Sequence, residues 1–182
     1  YNIVLINMYI LGYSYDEVKL MFEKSISKYP KYPDYYRVMG LAALRNKDPK
    51  EAIIFLEKCI HYCNNYNSNV ESLVLGQIEK VYYELLNAYI LDGNKAKIVE
   101  ITVALLKTNK YDYENLTVLV KTLLTQEKED DIIIFLGKLY DYNSFKDKIY
   151  LLRSSETIEN ERLISYYKSL LNEEELKATE KI

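Results

Sequence analysis

Along most of the chain, apolar residues return every three or four positions, with charged and amide residues between them. That spacing predicts amphipathic helices. Read with the residues that interrupt it, the pattern predicts helices over 2–11, 15–28, 34–45, 49–62, 68–91, 95–107, 112–125, 129–140, 144–152 and 157–171, and a frayed one over 173–180. Only five glycines and three prolines are present, too few for the many tight turns of a sheet-rich fold. The fold class predicted is all-α.

The pattern also repeats. Leu5 aligns with Met39, Tyr9 with Ala43, Val18 with Ala52, Phe22 with Leu56 and Ser25 with Cys59, always at an offset of 34. Farther on, Tyr82 aligns with Leu116, Leu85 with Leu119, Leu86 with Val120, Tyr89 with Leu123, Ile98 with Ile132 and Leu105 with Leu139, again at 34. The two pairs are related by 46, which is one repeat and an insertion of 12. A single helical hairpin cannot bury its apolar stripe, but a stack of them can, and this favours repetition. Where two helices approach closely the side chains must be small, which gives Gly40 and Ala43 on one helix and Ala52 on the next a common purpose, with Tyr36, Met39 and Leu56 filling the space around them.

Turn residues fall at the same phase in each unit: Gly12-Tyr13-Ser14, Asn46-Lys47-Asp48-Pro49, Asp92-Gly93-Asn94 and Gln126-Glu127-Lys128. Asp48 is placed as a helix N-cap with Pro49 in the first helical position. Pro30 and Pro33 close the first unit. The units are expected at about 1–32, 33–62, 79–110 and 113–143, within one domain spanning 1–182, with an insertion over 63–78. The tail, 144–182, fits the repeat poorly, because Arg153-Ser154-Ser155 stands where apolar and small residues are wanted. It is read as a divergent fifth hairpin that caps the array.

The segment Tyr36-x-x-Met39-Gly40-x-x-Ala43 followed by Ala52-x-x-x-Leu56-x-x-Cys59 resembles the tetratricopeptide repeat (TPR). The resemblance covers residues 3–140 and implies a right-handed helical-hairpin solenoid of about four hairpins plus the C-terminal cap. Leu86 and Val120 replace the usual Gly, and Leu105 and Leu139 the usual Ala, so the later units are expected to stack irregularly. A narrower resemblance rests on the insertion: Leu75-Gly76-Gln77, then Lys80-Val81-Tyr82-Tyr83-Glu84-Leu85, leading to Tyr89 and Asp92-Gly93. It is similar to the C-terminal TPR region of bacterial family 2 glycosyltransferases. That likeness implies a docking or accessory region whose catalytic domain, with its Asp-x-Asp metal site, lies upstream. The Tyr-, Ile-, Lys- and Asn-heavy composition suits an AT-rich bacterial genome, and the opening at Tyr1 rather than Met suits a processed chain or part of a longer one. The alternative is a stand-alone regulator that binds a peptide or protein.

Charge narrows the partners. The net charge is −3, with acidity concentrated after residue 62, so no basic nucleic-acid footprint is present. No apolar run is long enough to span a bilayer. Cys59 and Cys63, one turn apart, fit a reduced, cytoplasmic setting better than a disulfide framework. His61 between them points off their face, so no metal is expected. As the only histidine it leaves no Ser/His or Cys/His pair, and no Gly-rich phosphate loop occurs. Asp112 with Glu114, and Asp130 with Asp131, sit at helix starts, where acidic residues favour the macrodipole. No cofactor and no catalytic residue are expected in this chain.

Binding is then expected on the first helices of the repeats. The groove positions fall on Asn7, Ile10, Asp34, Arg37, Leu41, Arg45, Lys80, Tyr83, Asn87, Ile90, Thr117 and Lys121, of which Asn7, Arg37, Leu41, Arg45, Tyr83, Asn87 and Lys121 are the foremost candidates. The occupant would be a protein or peptide, or the parent protein's own catalytic domain. Of the twenty tyrosines, Tyr9, Tyr36, Tyr82 and Tyr89 sit at core positions, while Tyr35 and Tyr83 lie off the core phase and are candidates for contact. A helix over 68–91 would overhang the stack. Val70, Leu73, Val74, Leu75 and Ile78 on the overhang would form an apolar surface, with Leu73, Leu75 and Ile78 the residues most expected to cover a partner, including a second copy in a homodimer. The other reading is that they fold back on 49–62.

Overall fold

A computed structural model describes residues 2–179, with side chains from Val4 onward. Tyr1 and residues 180–182, the edges of the first unit, the cap and the last helix as expected from sequence, lie outside the described residues. The chain is all-helical, about 74% helix with no strand among the described residues. The helices are α1 (Asn2–Ile10), α2 (Tyr15–Ile26), α3 (Pro33–Arg45), α4 (Pro49–Asn64), α5 (Ile78–Asp92), α6 (Lys95–Thr108), α7 (Tyr113–Leu124), α8 (Glu129–Leu136), α9 (Phe145–Ile158), α10 (Glu161–Ser169) and α11 (Glu173–Thr179), with a single 3-10 turn, Leu75–Gln77, before α5. The chain divides into two compact units, the first ending at Lys97 and the second beginning at Ile98.

The caps explain where helices start. Ser14 and Glu17 form a reciprocal capping box on α2, and Asp48 accepts from the Glu51 N–H ahead of Pro49 on α4. Gly93, at φ 75°, ends α5 in the left-handed conformation that a glycine adopts without strain.

The first unit is built around α3 and α4. A Cβ added at Gly40 would lie 2.6 Å from both Cγ and Cδ2 of Leu56 and 3.5 Å from the Ala52 carbonyl oxygen. Positions 40, 52 and 56 lie either side of the 46–48 turn, so the two helices run back along each other as a hairpin. Leu5, Val18, Phe22, Ser25, Met39, Ala43, Ala52, Leu56 and Cys59, nearly all the positions matched at spacing 34 in this part, are buried. Tyr9 is half-buried. Phe22 meets Tyr36 and Phe55 edge-on, at 5.4 and 5.3 Å between centroids.

The insertion differs from expectation. No α-helix covers 68–77; α5 starts at Ile78 and, at 15 residues, is about 22 Å long. The asparagine- and serine-rich stretch after α4 instead folds back on the start of α3. The Ser72 hydroxyl donates to Asp34 Oδ2 at 2.5 Å and the Leu73 N–H to Oδ1 at 3.1 Å. The Tyr32 hydroxyl donates to the Glu71 carbonyl at 2.7 Å. These polar clasps take up backbone groups that a helix over 68–77 would need, and Asn and Ser compete with helix in any case.

The second unit packs α7 chiefly on α9, with α8 and α10 completing a core of Leu116, Leu119, Leu123, Ile132, Leu136, Leu151, Leu163 and Tyr167. Two expectations are corrected here. The helix predicted over 129–140 stops at Leu136, because the Tyr140 ring is buried and its hydroxyl donates to the Lys110 carbonyl at 2.8 Å. The break expected at 153–156 is absent. Ser154 and Ser155 are buried within a continuous α9, and the Ser155 hydroxyl bonds back to the Leu151 carbonyl at 2.8 Å, which satisfies it inside the helix. The break comes at Glu159, at φ 59°, followed by Asn160 as the N-cap of α10.

Candidate functional site

The first helices of the N-terminal unit, α1, α3 and α5, pack in sequence, α1 on α3 and α3 on α5. They bring together six of the seven residues expected to bind. Asn7 and Asn87 are exposed, and Leu41 and Tyr83 are half-buried. The two arginines are committed. Arg37 donates from Nε and Nη2 to both oxygens of Glu84, at 2.6–3.2 Å, and from Nη1 to Gln77 at 3.3 Å. The Arg37 and Glu84 side chains are each only 19% exposed. The bond to Glu84 raises the Arg37 pKa above its ordinary value, burial opposing it. Arg37 is therefore a strap from α3 to α5. Arg45 donates to the Tyr9 carbonyl at 2.6 Å and the Tyr13 carbonyl at 2.9 Å, and its guanidinium stands 4.5 Å from the Tyr9 ring centroid. It closes the C-terminal end of α1 as a cap. Lys121 is exposed on α7, in the second unit.

Two tyrosine and carboxylate assignments change. Asp34, projected into the groove, is 2% exposed and serves as the clasp for Ser72 and Leu73. Tyr35, expected at a contact surface, is buried and packs edge-on against Tyr32, 4.9 Å between centroids. The returning insertion covers this end of α3, which the helical phase of the sequence did not convey.

On the insertion, Leu73 and Leu75 are exposed, at 59% and 40%, and Ile78 is half-buried. Val70 is exposed and Val74 is buried. With no long helix there is no overhang, so the expected continuous patch is reduced to separate exposed side chains with one residue turned into the core.

Two features were missed from sequence. One is an aromatic cleft of 370 Å³ between the turn after α2 and the end of α4 with the segment that follows it, lined by Tyr29, Tyr32, Tyr62 and Tyr66 with Lys28, Lys31 and His61. The local density of tyrosine and proline over 29–36 was its only trace. The other is a polar cluster in the second unit. Asp147, 1% exposed, accepts from Lys110 Nζ at 2.5 Å, from the Tyr111 hydroxyl at 2.8 Å and from the Asp141 N–H at 2.8 Å. Burial pushes the Asp147 carboxyl up, but Lys110, the Asp141 N–H and Tyr111 outweigh it and hold the pKa below the ordinary value. The spacing Ser144 to Asp147 reads as the start of a helix, which it is; the partners come from elsewhere in the unit, as far as 37 residues away in sequence.

Cys59 and Cys63 are both buried and unbridged. The contact with Cys63 and burial push the Cys59 thiol up, the mark of an inert core cysteine. Among the described residues no group of three or more His, Cys, Asp or Glu side chains is placed to hold a metal ion. No described helix is long and apolar enough to cross a membrane. In comparisons with known proteins, no family model, no curated protein and no solved structure matches the chain.

Proposed function

We propose that this chain is an interaction domain of the TPR type, holding a protein or peptide segment against the α1, α3 and α5 layer through Asn7, Leu41, Tyr83 and Asn87. Lys121 plays the same part for the second unit. The observation that carries the reading is the approach of α3 and α4 at Gly40, Ala52 and Leu56, which sits in the sequence segment that resembles the TPR. With Arg37 and Arg45 tied into straps, the layer offers the amides of Asn7 and Asn87 and the aliphatic side chain of Leu41, beside the half-buried ring of Tyr83. Such a mixture suits an extended peptide, whose backbone groups amides can pair and whose side chains an apolar strip can seat.

A peptide library selected against the purified chain tests this. Selected peptides should lose about tenfold in affinity with Leu41→Glu or Asn87→Ala, with the melting temperature of Asn87→Ala unchanged. A library that yields no binder, or binders indifferent to both substitutions, overturns the reading.

The affiliation with bacterial family 2 glycosyltransferases is a proposal resting on the Lys80–Leu85 segment and the Gly93 turn, and with it the cytoplasmic, accessory role. Coding sequence upstream of Tyr1 with an alternating βα pattern and an Asp-x-Asp supports it; a helix-turn-helix there, or a start codon immediately before Tyr1, points to the stand-alone regulator. Self-association through the insertion is tested by Leu73→Glu with Leu75→Glu in sedimentation: a dimer that these changes dissolve supports it, and a wild-type monomer at all concentrations rejects it.

A further inference from the structure

The insertion meets the start of α3 in the way an extended peptide meets a receptor. No helix or strand covers 65–74. Of residues 65–77 only Ser72 and Val74 are buried, while Glu71, Leu73 and Leu75 on either side of them are exposed. That alternation belongs to an extended segment laid on a surface. The contacts divide in the same way. The exposed residues are held by their backbone: the Tyr32 hydroxyl donates to the Glu71 carbonyl at 2.7 Å, and the Leu73 N–H donates to Asp34 Oδ1 at 3.1 Å. Ser72 is held by its side chain, whose hydroxyl donates to Asp34 Oδ2 at 2.5 Å, and Val74 by its burial. Backbone contacts accept any side chain, so Ser72 and Val74 are the two positions that select a sequence.

The segment is anchored lightly and its seat is not. Val74 is the one apolar side chain of 65–77 that is buried, whereas α3 alone buries Tyr35, Tyr36, Val38, Met39, Ala42 and Ala43. A stretch with so few apolar contacts opens locally at a fraction of the free energy that unfolds the hairpin beneath it. On opening, Asp34 loses the Ser72 and Leu73 donors, and a shielded carboxylate without donors is costly. The seat therefore favours being filled: two carboxylate oxygens accept, and a phenol beside them donates.

We infer that the start of α3 is a peptide dock, filled here by the chain's own insertion, and that the partner it exchanges for is an extended segment with Ser at one position and Val two residues later. Such a segment repeats each contact that the insertion makes with Tyr32 and Asp34. The dock uses none of Asn7, Leu41, Tyr83 and Asn87, so it stands or falls separately from the α1, α3, α5 layer. The insertion is tethered, and a short tether gives an effective concentration on the order of millimolar. A free peptide must compete with it, which shuts the dock to weak ligands.

The test uses the purified 182-residue chain and a synthetic peptide with the sequence of residues 67–76. Ser72→Gly with Val74→Gly removes both anchors from the tethered segment and leaves Tyr32 and Asp34 in place. In calorimetric titration this double variant should bind the peptide at least about tenfold more tightly than the wild type does. Adding Asp34→Ala should abolish the gain, and a peptide with Gly in place of its counterparts of Ser72 and Val74 should not bind. The isotopically labelled wild type gives a second reading, which decides the matter if circular dichroism shows the double variant unfolded. Unlabelled peptide at millimolar concentration should speed hydrogen exchange of the Leu73 amide at least about twofold, with the α3 and α4 amides unchanged. Equal affinity for the two proteins, no binding by a folded double variant, a gain that survives Asp34→Ala, or a Leu73 amide whose exchange ignores the peptide would each overturn the inference.

Discussion

Gly40 is the position where the packing argument can be made to fail. Ordinarily Gly→Ala inside a helix stabilises, by about 0.8–1 kcal/mol, because the backbone of the unfolded chain is restricted. At Gly40 the new methyl would lie 2.6 Å from Leu56 Cγ and Cδ2. Leu56 is wholly buried, and Cγ is its branch carbon, so relief requires moving the whole side chain or one helix. Overpacking of this kind costs about 1–3 kcal/mol, and a contact with a branch carbon belongs near the top of that range. The net expectation for Gly40→Ala is a loss of about 1–2 kcal/mol after the helix-propensity gain is subtracted. For a chain of 182 residues each kcal/mol corresponds to about 2–4 °C of melting temperature. Urea titration followed by circular dichroism measures it. Leu56→Ala alone should cost about 2–5 kcal/mol, and combined with Gly40→Ala should cost less than the two added, since the methyl then enters the space vacated. A Gly40→Ala protein more stable than wild type, with strictly additive behaviour in the pair, would refute the close approach of α3 and α4.

Three further outcomes are expected. Ser154 is 1% exposed and its hydroxyl has no hydrogen-bond partner, so Ser154→Ala should raise stability by about 1 kcal/mol, read as a higher urea midpoint; a lower midpoint would mean that the hydroxyl is satisfied. The folded Asp147 carboxyl titrates below its ordinary value of 3.8, so its contribution is fully present above that value and is lost as pH falls through the depressed one; Asp147→Asn should cost about 1–3 kcal/mol at neutral pH and shrink the acid loss, and an unchanged slope of stability against pH below the ordinary value would count against the cluster. Ala52→Leu should cost about 1–3 kcal/mol by overpacking, whereas Glu57, although exposed, accepts the Tyr89 hydroxyl at 2.5 Å, so Glu57→Gln is the neutral control and Glu57→Leu should cost about 1 kcal/mol; an Ala52→Leu effect no larger than that of Glu57→Gln would show the helix phase to be wrong.

Periodicity made the helices and the buried stripe legible because both follow from local geometry. Val18, Ala52, Leu56, Leu85, Leu119 and Ile132 are buried where the spacing placed them, since a residue on the inner face of a helix stays there whatever the neighbouring helix is. What could not be read is anything fixed by a long-range polar contact. Asp34 had the phase of a groove residue, but a carboxylate at the start of α3 can also accept N–H and O–H groups from a loop 38 residues later, and that use decided its burial. The same holds for Arg37, whose helix face was right and whose availability was wrong, because Glu84 lies within reach on α5. Ser155 failed as a helix breaker for a converse reason: buried in a helix, it returns its hydroxyl to the Leu151 carbonyl of the preceding turn, so polarity alone does not end a helix.

The insertion draws these threads together. A run of Asn64, Asn65, Asn67, Ser68 and Asn69 has little helix propensity and no apolar stripe, so left alone it would remain a solvated loop. Its order comes from α3, through Tyr32 at one point and Asp34 at the next. Both residues stand at the start of α3, where Tyr32 is the N-cap position and Pro33 opens the helix, so the anchor points inherit the rigidity of the best-packed hairpin in the first unit. Tyr32 also lines the cleft, and Val70, held by Tyr66, closes its other side. The clasp that replaces the expected long helix thereby forms a walled cavity where an overhang would have left a flat apolar surface.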